Sequence, residues 1–160
     1  MKELAEYRVN LIKKLENSAE AFREECLKTG DPYAPFDAAA WNVHQVAVHT
    51  RDVDELVYGL RARQTAVEEN PEFPNFDGEA YMSVNYNSSE PLQNVLDSFV
   101  ENVRSLVELL RALPPEAWSR ISRHATLGSD LTLQTWVEKD LAHIEEHLEA
   151  VREWNKKANH

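Results

Sequence analysis

Cysteine is nearly absent from this chain. Cys26 stands alone among 160 residues, so no internal disulfide can form and the cytoplasm is the default compartment. Positive charge is also short. Lys and Arg number 17 against 28 Asp and Glu, a formal net charge of -11. This argues against duplex nucleic acid or an anionic membrane as a partner, because both are bound through basic surface. No apolar run reaches the ~18 residues of a membrane-spanning helix. The opening MKELAEYRVNLIKKLENSAEAF lacks a continuous apolar core and reads as an amphipathic helix, not a signal peptide. Glycine is scarce too, at four residues, and the apolar spacing is mostly helical. The remaining composition, 42% hydrophobic and 28% charged, is ordinary for a globular protein. The size suits a single domain over residues 1–160 that buries roughly two-thirds of its unfolded surface.

Four helices account for most of the chain. Leu4, Tyr7, Leu11, Leu15, Phe22 and Cys26 recur at helical intervals and mark a first helix over about 2–28. Gly30, Pro32 and Pro35 end it. A second helix is expected from about Trp41 to Glu69, with a stripe of Val46, His49, Val53, Leu56, Val57 and Leu60. Ser88 or Ser89 followed by Pro91 starts a third helix, which Pro114 and Pro115 stop. A fourth begins near Thr132 and runs to about Trp154. The predicted fold is all-α, a four-helix bundle. The stretch NPEFPNFDGEAYMSVNYNS is long enough to cross the whole bundle. Such a crossover makes the second and third helices parallel, in up-down-down-up order.

The histidines carry the chemistry. His143 and His147 are four residues apart in DLAHIEEHLEAV, which places both imidazoles on one helix face. At ~100° per residue, Leu56 and Leu60 lie within ~20° of His49, so His49 points into the bundle. Three imidazoles from two helices are a ligand set for a metal with an open position, the makeup of a reactive site. His44 falls ~140° from His49 and reads as a surface residue. His124, in SRHATLGSD, reads as a solvated loop histidine, and the terminal His160 as no ligand. Asp140 and Asp52 are the acidic candidates for catalysis. Asp140, one turn before His143, is also placed to accept an imidazole N–H. HIEEH fits the inverted zincin pattern, but only 13 residues follow His147, too few for that family's downstream acidic ligand. A di-iron site fails for want of an acidic residue three positions before His49. Cys26 reads as a buried small residue.

Taken in order, WNVHQVAVHTRDVDELVYGLRAR, the Asn70-Pro71 turn, SFVENVRSLVELLRALPPEAW, RHATLGSDLTLQTWV and DLAHIEEH resemble the DinB/YfiT-like superfamily of metal-dependent enzymes. Trp41 followed eight residues later by His49, the Leu-Pro-Pro-x-x-Trp turn and the His-x-x-x-His pair carry the resemblance. It implies the up-down-down-up bundle, a homodimer, and a divalent metal, zinc or nickel, held by His49, His143 and His147. It further implies a small-molecule enzyme, a thiol-dependent transferase such as a bacillithiol S-transferase or mycothiol-dependent maleylpyruvate isomerase, or a hydrolase. The metal would then activate a low-molecular-weight thiol cosubstrate or a water. The alternative is a non-catalytic, stress-response helical binding protein with a structural or vestigial metal site.

Overall fold

The computed structural model describes residues 2–37 and 40–158, so His160 lies outside the described residues. The first long helix, α1, is Lys2–Lys28. The second rod has three consecutive pieces: α2 (Val43–Val53), a π turn (Asp54–Tyr58) and α3 (Gly59–Val67). A short helix, α4 (Gly78–Asn85), interrupts the crossover. The third and fourth rods are α5 (Leu92–Ala112) and α6 (Leu133–Ala158). Asn42 caps α2 with a reciprocal capping box, its side chain accepting from Gln45 N–H while the Gln45 side chain accepts from Asn42 N–H.

Side-chain links between the rods fix their directions. Arg8 Nε donates to Gln134 near the starts of α1 and α6 (3.0 Å), and Asn155 donates to the Glu25 carbonyl near their ends (3.0 Å), so these two helices run parallel. Arg23 meets Asp97 at 2.9 Å and Arg111 meets Glu16 at 3.3 Å, so α1 and α5 are antiparallel. Arg51 pairs with Glu90 and Arg63 donates to the Asn102 carbonyl, so the second rod and α5 run parallel. The result is the expected up-down-down-up order. Phe22 and Phe99 sit edge to face in the core, ring centres 5.5 Å apart, beside Leu15, Val103, Leu106 and Ile144. Full burial of each such side chain contributes about 1.5–3 kcal/mol.

Three short strands were not expected. β1 (Glu72–Phe73) pairs in parallel with β2 (Ile121–His124), which pairs antiparallel with β3 (Gly128–Thr132). The SRHATLGSD segment is therefore a hairpin, bulged between Ser122 and His124, with positive φ at Gly128 and Asp130 of β3. The sheet closes over Trp136. Its indole N–H donates to Ser122 Oγ at 2.7 Å, the Phe73 ring meets it edge-on at 5.7 Å, and the Arg61 guanidinium stacks 4.9 Å from the indole.

The π turn also corrects the second helix's phase. Leu60, placed on the inward stripe with His49, is 37% exposed. A π turn adds a residue relative to the α repeat, so positions beyond Tyr58 rotate away from the phase set before Asp54. The turn closes through Gly59 N–H to the Asp54 carbonyl, and a Cβ on Gly59 would stand 2.4 Å from that oxygen. Gly59→Ala is therefore expected to lower unfolding stability by about 1–3 kcal/mol, as other overpacked sites do. Urea unfolding measures this, and an unchanged midpoint would show that the turn closes without glycine.

Candidate metal centre

His49 comes from α2 and the His143/His147 pair from α6, where the two rods run antiparallel. His143 Nε2 lies 3.3 Å from His49 Nε2 and 3.0 Å from His147 Nε2. One nitrogen from each ring can be chosen so that all three lie within 4.8 Å of one another. Nitrogens bound to one ion at ~2.0–2.1 Å stand about 3.3 Å apart at a tetrahedral angle and about 3.0 Å apart at a right angle. The two close contacts already match those edges.

The protonation states also suit a metal. Burial, reinforced by the charge of His147 and then His49, pushes His143 down to about 3. Burial, then the charge of His147, pushes His49 down to about 4, against a small opposing pull from Glu146. Burial lowers His147 as well. Neutral imidazoles keep the lone pair that a metal requires. Without a cation the three are poorly satisfied. His143 Nε2 faces two other ring nitrogens, and its one site can donate to only one of them or share a single lone pair between them. His143 Nδ1 is buried with no hydrogen-bond partner.

Several residues pack around the centre that helical phase alone did not single out. The Trp41 ring lies 5.0 Å from that of His49, and the Tyr58 ring 5.5 Å from that of His143. Gly78, at the start of α4, lies against His49: a Cβ there would stand 3.0 Å from His49 Cε1. Trp41 and Gly78 were each visible in the sequence, as a flanking aromatic and as a scarce glycine in the crossover.

The other sequence candidates fall differently. Asp140 is fully buried, and neither carboxylate oxygen takes a hydrogen bond from a histidine N–H or from any group other than the neighbouring carboxyl. It lies beside Asp54 of the π turn, also buried. Burial first, then the Asp54 charge, pushes Asp140 well above the carboxylate range. Burial pushes Asp54 up to about 6, with its hydrogen bond to Asp140 and then the Arg63 charge opposing. Asp52 is held by Arg51 at 3.0 Å, and Arg51 also pairs with Glu90. His44 corrects the surface reading, for it is 0% exposed. The segments flanking α2 cover that face. Tyr33 stacks on the ring at 4.9 Å, Tyr86 OH lies 2.6 Å from Nδ1, and Nε2 donates to the Glu90 carbonyl at 2.7 Å. Both ring nitrogens are thus used within the protein, which leaves none for a metal. His124 is likewise buried, not solvated. Its Nδ1 accepts from the N–H groups of Thr126 and Leu127, both at 3.1 Å. Cys26 is fully buried, and burial pushes its thiol up, away from the reactive thiolate.

Fold and site together define a four-helix bundle with a three-histidine centre between its second and fourth rods. The chain belongs to the DinB superfamily, whose sequence profile matches residues 3–151. Among solved structures it is similar to YfiT from Bacillus subtilis, described as a probable metal-dependent hydrolase with an unusual four-helix bundle topology. The TM-score is 0.86 at 20% identity, over 96% of this chain and 89% of that one. No curated protein sequence matches. Among the described residues no helix is long and apolar enough to cross a membrane.

Two outcomes follow from this geometry. A methyl group at Gly78 must displace the His49 ring by a few tenths of an ångström. Gly78→Ala is expected to weaken metal binding by about tenfold, as lost support of a ligand does, while the apo protein keeps its melting temperature. Competition against a chelating dye reads the affinity, and an unchanged value would show the ring to be free of α4. The second outcome concerns the acid pair. Folded Asp54 and Asp140 hold protons that the unfolded chain releases near ~3.9. Stability therefore falls as pH rises from there through about 6. Asp140→Asn should raise the urea midpoint at about pH 7.5 and flatten its pH dependence. A lower midpoint at that pH would mean that the ionised pair stabilises the fold.

Proposed function

We propose that this chain is a metal-dependent enzyme acting on a small molecule, a thiol-dependent transferase or a hydrolase, with a divalent zinc or nickel ion held by His49, His143 and His147. The convergence of three neutral imidazoles from two helices carries the reading. Three protein ligands leave a coordination position open, and the ion supplies Lewis acidity to a thiol or a water there. The chain's own residues orient and shield the site. Gly78 and Trp41 pack against His49, and Tyr58 packs against His143. In this reading Asp140 keeps a proton within its buried pair and Asp52 stays tied to Arg51, so both position helices rather than accept the substrate's proton.

The description of YfiT favours the hydrolase branch. The family resemblance favours the thiol branch, with a low-molecular-weight thiol as cosubstrate. Cytoplasmic location and homodimer formation belong to the same proposal. A dimer must bury enough apolar surface to overcome the charge of -11 on each copy.

Elemental analysis of the purified protein beside single variants tests the centre. About one equivalent of metal is expected in wild type and in His44→Ala, with near-complete loss in His49→Ala and His143→Ala. His44→Ala should also melt earlier, because it removes a buried ring with both nitrogens bonded. Metal content equal in wild type and His143→Ala would end the metal reading. Metal that follows the histidines, with no turnover in a screen of thiols against electrophiles and of esters and amides, would leave the non-catalytic binding protein as the function.

A further inference from the structure

A cavity at one end of the bundle shares no side chain with the histidine centre. It is a groove of about 620 Å³ between the N-terminal half of α1 and the end of α5, with the Pro115–Ser119 turn behind it. Its apolar lining is Leu4, Val9, Ile12, Leu110, Leu113 and Trp118. Trp118 and Leu110 are almost fully buried, whereas Val9 is 52% exposed, an apolar residue left open at the rim. A volume in this range suits a small ligand.

Cations outnumber carboxylates in the lining of the groove. Arg111 reaches Glu16 across its inner end through a single 3.3 Å ion pair, and Lys13 lines the same end with no hydrogen bond or ion pair among the described residues. Arg8, midway, is spent on Gln134 and the Pro115 carbonyl and lies 5.5 Å from the Trp118 ring. Glu116, the one carboxylate in the lining, lies with the Pro115 turn toward the outer end. Of the three cations that line this apolar cavity, Lys13 alone has no partner among the described residues.

We propose that this groove binds a free straight-chain carboxylate, its head at Lys13 and its tail along α1 toward Leu4. The distance from Lys13 to Leu4 along the helix is about 13 Å, which matches a chain of about ten to twelve carbons. The unpaired ammonium gives the head a charge-assisted partner, and the tail removes Val9 and its neighbours from water.

Isothermal titration of the metal-loaded protein with dodecanoate and with dodecylamine, both kept below their micellar concentrations, tests this. Dodecanoate is expected to bind saturably at one per chain, and the amine at least about tenfold more weakly. Lys13→Glu and Val9→Glu change exposed positions on α1 remote in sequence from every histidine of the centre. Each should weaken dodecanoate by about tenfold or more while metal content and helical circular dichroism stay as in wild type. Equal binding of acid and amine, or full-strength dodecanoate binding by both variants, would overturn the proposal. So would sedimentation showing a wild-type dimer that Val9→Glu dissociates and dodecanoate leaves untouched, since a second copy would then cover the groove.

Discussion

The second rod bends its own repeat to make the centre. Between Asp54 and Tyr58 the α repeat gives way to a π turn, closed by Gly59 N–H on the Asp54 carbonyl. Had the α repeat continued, the residues on either side would keep one phase. The extra residue instead lets two faces of the same rod turn inward. His49 faces α6 before the turn, and Arg61 reaches Trp136 and the Pro74 carbonyl after it. π turns are uncommon and often lie at functional sites. Here the cause is local and identifiable, because any side chain at Gly59 would collide with the carbonyl that the turn must use.

The same turn carries Asp54 into the core against Asp140. Two buried carboxyls with little but each other to bond to are costly, and the cost falls on the layer of the bundle next to the histidines. That layer is held from outside by other contacts. α4 lies on His49, Tyr86 and Glu90 hold His44, and the small sheet covers Trp136. The crossover is therefore more than a return path. Its length permits the parallel arrangement of the second rod and α5, and its residues complete the packing of α2 on the side away from the bundle axis.

The rods, their order and the three histidines were legible because each rests on strong periodicity. His143 and His147 needed only an intact α repeat. The phase of His49 was argued from Leu56, inside the π turn, and Leu60, beyond it, yet it held because Val46 and Val53, ahead of the turn, lie on the same inward side. Leu60 lay beyond the turn, and there a constant 100° per residue misassigned the face. His44 was misread for a different reason. Phase reports which side faces the other long helices, not what a connection does with the opposite side, and Tyr33 and Tyr86 come from connections. The strands escaped notice because Ile121–His124 and Gly128–Thr132 are too short and too polar to alternate clearly. Their pairing depends on a bulge and on two positive φ values rather than on pattern. The buried role of Asp140 was hidden by its neighbour in space, Asp54, which lies far away in sequence.

The three imidazoles make a further point about cations. A bundle core of this size has apolar side chains enough to fill the space between α2 and α6, yet three rings converge there with two nitrogen–nitrogen contacts and one buried nitrogen unbonded. Protons could relieve the first problem by making imidazolium, but burial and mutual repulsion hold His143 near about 3 and His49 near about 4. At neutral pH the cluster therefore keeps its lone pairs, and the single Nε2 site of His143 can donate to only one of its two neighbours. A divalent ion would take a lone pair from each ring without protonating any, while Leu15, Phe22, Phe99 and Val103 belong to an apolar core that includes none of the three histidines. The apolar core and the histidine centre thus draw on different residues of one bundle, and three imidazoles would leave a bound ion the open position that a closed structural site fills.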